Sequence, residues 1–198
     1  MRLPIARFAI LIGCVVAVSA VGFPHARAQE DGSIDSGGLG LTRAAFEAEY
    51  GPGEPVETPP AIYDEVYAYG TEEGMIYVAY EGSKTEADDV VVYLEFAWGG
   101  DGATEDEAKA IAERFLPADF TFAGGYFAPP TPDGPTALMT FHYLSDALAS
   151  VPYGTGTLPP DILVIYFQTL TDVSQPGSQP IAETSVTSVS LLTQIPEG

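Results

Sequence analysis

Apolar and polar positions alternate most regularly over Val90–Trp98. Val90, Val92, Leu94, Phe96 and Trp98 fall on one side, and Val91, Tyr93, Glu95 and Ala97 on the other. A period of two is that of a β-strand. Similar runs predict strands over Ile62–Tyr69, Met75–Tyr80, Phe120–Phe127, Leu138–Leu144, Ile162–Leu170 and Thr184–Leu192. Two stretches have helical spacing instead. In Thr42–Tyr50 the threonine can cap, Phe46 and Tyr50 share a face, and Gly51-Pro52-Gly53 stops the helix. In Thr104–Phe115, Thr104 and Glu107 have capping-box spacing, and Ala108, Ile111, Ala112 and Phe115 form the stripe to be buried. Glu105, Asp106 and Glu107 also complement the positive end of that helix, and Pro117 closes it.

A helix followed by three strands spans 39–98. The same order recurs over 103–198 with an extra C-terminal strand. Strands in runs, with one short helix per run, predict an α+β fold: two αβββ-type repeats and a mostly antiparallel sheet. Two helices are too few to connect that many strands in parallel. The Pro- and Gly-rich stretches Ala128–Pro135, Ser150–Asp161 and Thr171–Ile181 read as loops. Gln29–Gly38 is acidic, rich in Gly and Ser and without period, so it reads as a flexible leader.

The first 28 residues have a separate logic. A basic start (Met1–Arg7), an apolar run (Phe8–Gly22) and the small residues of Ala26-Arg27-Ala28 describe a secretory signal peptide cut after Ala28. The apolar run is short for a spanning helix. Leu11-Ile12-Gly13-Cys14 resembles a lipobox, which would instead give a chain lipidated at Cys14, but the sequence stays apolar through Phe23. Cleavage after Ala28 leaves no cysteine, hence no disulfide framework.

Charge narrows the partners. The 198-residue chain has 28 Asp and Glu against 7 Lys and Arg, a formal charge of −21. Loss of 1–28 removes Arg2, Arg7 and Arg27 and no acid, which moves the charge to −24. Arg43, Lys84, Lys109 and Arg114 are then too few to neutralise phosphates, so nucleic acid and anionic membranes are poor partners. A basic or cation-bearing partner suits the chain better. With 46% hydrophobic and 11% aromatic residues it is a folding sequence and not an acidic tail.

Most catalytic chemistries lack their residues. After residue 28 the only imidazole is His142, on the polar side of its strand, and no Gly-x-Ser-x-Gly elbow is present. Ser145 and Asp146 lie near His142 in sequence, but adjacent strand residues face opposite ways. Asp101-Gly102-Ala103-Thr104-Glu105 offers Asp101 and Glu105 as weak calcium candidates without completing an EF-hand loop, and Asp31 and Asp35 sit in the leader. Asp88-Asp89 and Glu72-Glu73 read as solvated turn residues. The acidic Gly99-Gly100-Asp101-Gly102 is no phosphate cradle. No cofactor is expected.

Aromatic residues remain. Tyr67, Tyr69, Tyr77 and Tyr93 are expected to line the sheet face away from the helices, with Trp98 and the loop residue Tyr153 as further candidates. Tyrosine surfaces suit protein recognition, because each ring supplies area and a hydroxyl with little entropy to lose. The expected function is therefore a secreted or cell-envelope, non-catalytic binding protein with a protein partner. The competing readings are a carboxylate-based enzyme, with or without calcium, and a purely structural acidic surface protein. It is also open that both sheet faces are half-buried by the fold itself.

Leu39–Tyr50, with Gly40-Leu41-Thr42-Arg43 and then Tyr50-Gly51-Pro52-Gly53, resembles the opening helix of small bacterial envelope lipoproteins of the barrel-assembly machinery. In tandem, such a helix-then-strands unit resembles the β-lactamase inhibitor protein family across about 39–192. The resemblance implies a non-catalytic extracytoplasmic binding protein. The chain departs from that family in having no cysteine after residue 28 to staple its repeats, and no functional residue carries over.

Overall fold

The computed structural model describes residues 34–57, 63, 65–82, 89–128, 136–169 and 185–193. In chain order they form α1 (Arg43–Tyr50), β1 (Glu54–Pro55), β2 (Tyr67–Gly70), β3 (Gly74–Glu81), β4 (Val90–Trp98), α2 (Glu105–Phe115), β5 (Thr121–Ala128) and β6 (Thr136–Leu144). A 3-10 turn follows at Leu148–Ser150, then β7 (Pro152–Tyr153), β8 (Gly156–Thr157), β9 (Asp161–Thr169) and β10 (Ser185–Thr193). The expected signal peptide, Cys14, Asp31, Lys84, Asp88 and most of the loops at 128–135 and 171–181 lie outside the described residues.

The expected α+β class holds. Eight strands make one antiparallel sheet in the order β1-β2-β3-β4-β10-β9-β6-β5, and β7 and β8 form a small hairpin. Four strands of the large sheet follow each helix, where the sequence predicts three in the first half; the addition is the two-residue β1. The hairpin, placed between β6 and β9, makes an ordered element of what reads as loop at 150–161. Strand β2 is shorter than its apolar run, beginning only at Tyr67.

Both helices start where their threonines allow. Thr42 Oγ1 accepts the Ala45 N–H at 3.2 Å, and Gly51 ends α1 in the left-handed region at φ 81°. At α2 the capping box is complete: Thr104 Oγ1 accepts from Glu107 N, and Glu107 Oε2 accepts from Thr104 N at 2.9 Å. That backbone N–H holds the Glu107 carboxyl below its usual range. The predicted stripe of Ala108, Ile111, Ala112 and Phe115 is buried.

Strand residues opposite one another share a face, so the registers sort the sheet into rows. One row runs Tyr69, Ile76, Phe96, Val189, Tyr166, Met139 and Phe127. Its first-half end lies beneath the helices: Phe46 of α1 meets Tyr69 at 5.1 Å between ring centroids, and Phe115 of α2 meets Phe96 at 6.5 Å. The core sits in this layer.

The expected leader has to be corrected at its end. Ile34 is buried, Ala118 N–H donates to the Asp35 carbonyl at 2.8 Å, and Ser36 pairs with Pro117. The Gly/Ser composition that reads as flexibility here permits contact. A Cβ on Gly37 would fall 2.1 Å from the Arg114 carbonyl oxygen, so only glycine lets this segment lie against the end of α2.

A carboxylate organises the turn after β6. Asp119 accepts from the Ser145 hydroxyl at 2.6 Å and from Ala147 N–H at 2.9 Å, while Ser145 Oγ accepts from Leu148 N–H. Burial alone would raise this carboxyl, but its hydrogen bonds outweigh that and hold it below the usual range. A carboxyl depressed in the folded state stabilises above its unfolded pKa of about 3.9, and that stability is lost as pH falls through the folded value. Asp119→Asn should therefore cost about 1 kcal/mol at pH 7, given the exposure of Asp119, and progressively less below about pH 4. Urea unfolding at pH 7 and pH 3 checks this; an equal loss at both would refute the electrostatic account.

Candidate functional site

The four tyrosines proposed as one surface divide between the two faces. Register decides it: Ala68 lies opposite Tyr77, and Tyr67 lies opposite Val78. Tyr67 and Tyr69 therefore point to the helix side. Tyr69 is buried against Phe46, with its hydroxyl 2.6 Å from that of Tyr80. The Arg43 guanidinium stands 4.1 Å from the Tyr67 ring centroid and pairs with Glu47 at 2.8 Å. Burial raises the Tyr69 and Tyr80 phenols, which keeps both protonated. This aromatic group fastens α1 to the sheet.

Tyr77 and Tyr93 do lie on the face away from the helices, but only Tyr77 is partly open. Tyr93 is buried under Tyr63, ring centroids 4.8 Å apart, and donates to Glu95 at 2.6 Å. Burial and the Glu95 carboxylate both raise its phenol.

The other two candidates also have structural partners. Tyr153 packs on Gly82 and donates to Glu81 at 2.9 Å, so it anchors the β7–β8 hairpin to the end of β3. Burial and Glu81 push its phenol up to about 12. Trp98 meets Phe96 edge-on at 4.8 Å and borders an open groove of about 330 Å3 beside α2. Arg114 and Glu73 line the groove and pair with each other at 3.3 Å.

Acid chemistry does not converge. Among the described residues no three His, Cys, Asp or Glu gather as a metal site. Asp101 is exposed in its turn, and Glu105 occupies the first turn of α2. His142 pairs with Asp161, Nε2 to Oδ1 at 2.8 Å, while Ser145 is committed to Asp119. Among the described residues the carboxyls that clearly depart from their ordinary range, Glu107 and Asp119, are both lowered, which is the wrong direction for a general acid near neutral pH.

What the geometry does assemble is the sheet face opposite the helices. One row across it reads Ala68, Tyr77, Glu95, Ser190, Ile165, Thr140 and Tyr126. Beside it, Met75, Ala97, Ser188, Phe167 and Leu138 form a second row. Leu138, Leu163, Ile165 and Phe167 are only partly buried and stand apart from the core cluster. Met75, Tyr126 and Leu144 on the same face are exposed.

Residues Leu138, Leu163, Ile165 and Phe167 are absent from the sequence-based candidates. Their signal is the unbroken apolar run Ile162–Phe167, which asks for cover on both faces of its strand. On the helix side of the sheet the alternate residues Ile162, Val164 and Tyr166 are buried. No family model matches the chain, and neither does a curated protein or a solved structure. The resemblance carried by Leu39–Tyr50 therefore stands on that motif and the order of elements. Among the described residues no helix is long and apolar enough to cross a membrane.

Proposed function

We propose that the protein is a non-catalytic, extracytoplasmic binding protein that presents the helix-free face of its sheet to a protein partner. The observation that carries this reading is the patch of partly open apolar residues, Leu138, Leu163, Ile165 and Phe167, on a broad sheet with α1 and α2 on its other side. Tyr77, Tyr126 and His142 supply polar groups on the same face, the mixture of apolar area and hydrogen-bonding groups typical of a recognition surface. The recognition face expected from the sequence is thus kept, but its centre moves from tyrosines on the first half to aliphatic residues on β6 and β9.

The acidic composition supports a partner with a basic surface, and the 1–28 segment supports export. Site-specific photo-crosslinking in the native host tests the proposal. A photoreactive residue at Ile165 should capture one protein that the same residue at Ser150, on the turn after β6, does not. Ile165→Lys should weaken that complex at least about tenfold, roughly 1.4 kcal/mol, without unfolding the protein. Capture at both positions alike, or full affinity in Ile165→Lys, would remove the face from consideration.

A further inference from the structure

The two edges of the large sheet are built differently. At one end β1 is two exposed residues, Glu54 and Pro55, so a charge and a missing N–H close that edge to further pairing. At the other end β5 runs for eight residues, and from Phe120 to Ala128 the sequence has neither a charge nor a proline. Among the described residues β5 pairs only with β6, which leaves the backbone N–H and C=O groups of alternate residues directed outward.

The side chains of this edge are aromatic and open. Phe122 is 62% exposed, Tyr126 66% and Phe127 44%. Phe122 lies 6.1 Å from Phe141 and 5.8 Å from Tyr143, which makes an aromatic shelf on the helix side, while Tyr126 projects on the other side. At the Thr121 end of the strand stand Asp119 and Asp146, both exposed. The edge is therefore a neutral, hydrogen-bonding strip in an acidic surface.

We propose that β5 accepts a ninth strand from another protein. The incoming segment is extended, apolar at alternate positions to lie along Phe122 on the helix side, with the intervening positions facing Tyr126, and flanked by lysine or arginine. The backbone edge supplies affinity and the alternate side chains supply selectivity, as in other strand-addition complexes. Charge selects this occupant over a second copy of the chain, because pairing two copies would join two polyanions of formal charge −21, whereas basic flanks are attracted. The inference concerns the backbone edge of the sheet, which shares Tyr126 with the helix-free face, and does not depend on that face being a recognition surface.

Hydrogen exchange on the purified protein tests it with three synthetic probes. The first is a peptide of alternating valine and threonine with two lysines at each end. The second replaces two central residues by proline, and the third replaces the lysines by glutamate. The lysine probe should protect amides within 121–128, the proline probe should not, and the glutamate probe should bind at least about tenfold more weakly. Gly124→Lys should abolish that protection at an unchanged melting temperature, because a Cβ at Gly124 meets nothing within 4 Å. Protection over 161–167 instead of 121–128, or equal binding of the glutamate probe, would overturn the proposal. So would self-association of the protein alone with 121–128 protected, which would make the occupant a second copy.

Discussion

Phe46→Ala is expected to cost about 3–5 kcal/mol of stability, the range for removing a fully buried phenylalanine. Its side chain has no solvent exposure, and it is the contact through which α1 docks. The ring stacks on Tyr50 at 4.5 Å and meets Tyr69 and Tyr80 edge-on at 5.1 and 6.3 Å. An eight-residue helix does not persist in water by itself, so α1 exists because this face is packed. Losing the ring should expose the Tyr69–Tyr80 hydroxyl pair to water and let α1 fray. A urea titration followed by circular dichroism measures the loss, with Ala48→Ser on the exposed side of α1 as a control expected to change stability by less than about 0.5 kcal/mol. A loss below about 1 kcal/mol for Phe46→Ala would show that the cluster does not hold the helix.

The second large effect falls on Gly40. Its φ of +79° is a conformation that L-residues adopt at a cost of about 1–2 kcal/mol. An added Cβ would also stand 2.7 Å from both Ile34 Cδ1 and Leu148 Cδ2, and overpacking of that kind costs a further 1–3 kcal/mol or so. Gly51 provides the comparison within the same molecule. Its φ is +81°, but a Cβ there meets nothing within 4 Å. Gly51→Ala should therefore report only a backbone penalty, that of its own ψ of −179°, whereas Gly40→Ala adds the contacts with Ile34 and Leu148. A Gly40→Ala loss no larger than about 1–2 kcal/mol in urea would mean that Ile34 and Leu148 give way freely, and that the 34–41 segment is only loosely held.

That segment also marks where sequence reading stops. The helices were legible because their signals are local: Thr42 and Thr104 choose their own backbone partners within three residues. Strand positions were legible from alternation, and β4 has the bounds its pattern predicts. Alternation states which residues share a face but not which face meets a helix. The separation of Tyr67 and Tyr69 from Tyr77 is fixed by the pairing of Ala68 with Tyr77 across a turn, which no periodicity contains. Composition misled at Gly37 and Gly38 for a related reason. Glycine serves flexible chain and close packing equally well, and only the position of Arg114 and Phe115 distinguishes them. The helix-free face was half legible: Ile162–Phe167 shows that both faces want cover, without saying that one of them receives a helix and the other does not.

The seam between β4 and β10 has a consequence in time. Leu94 pairs with Leu191 and Phe96 with Val189, so the middle of the sheet joins strands far apart in sequence. Until β10 has been synthesised, β4 has β3 on one side and no neighbour on the other, and the sheet cannot extend past Phe96 and Leu94. Contacts so distant in sequence form late and slowly. The seam should therefore be the last part of the sheet to close, after β2, β3 and β4 have already paired with one another.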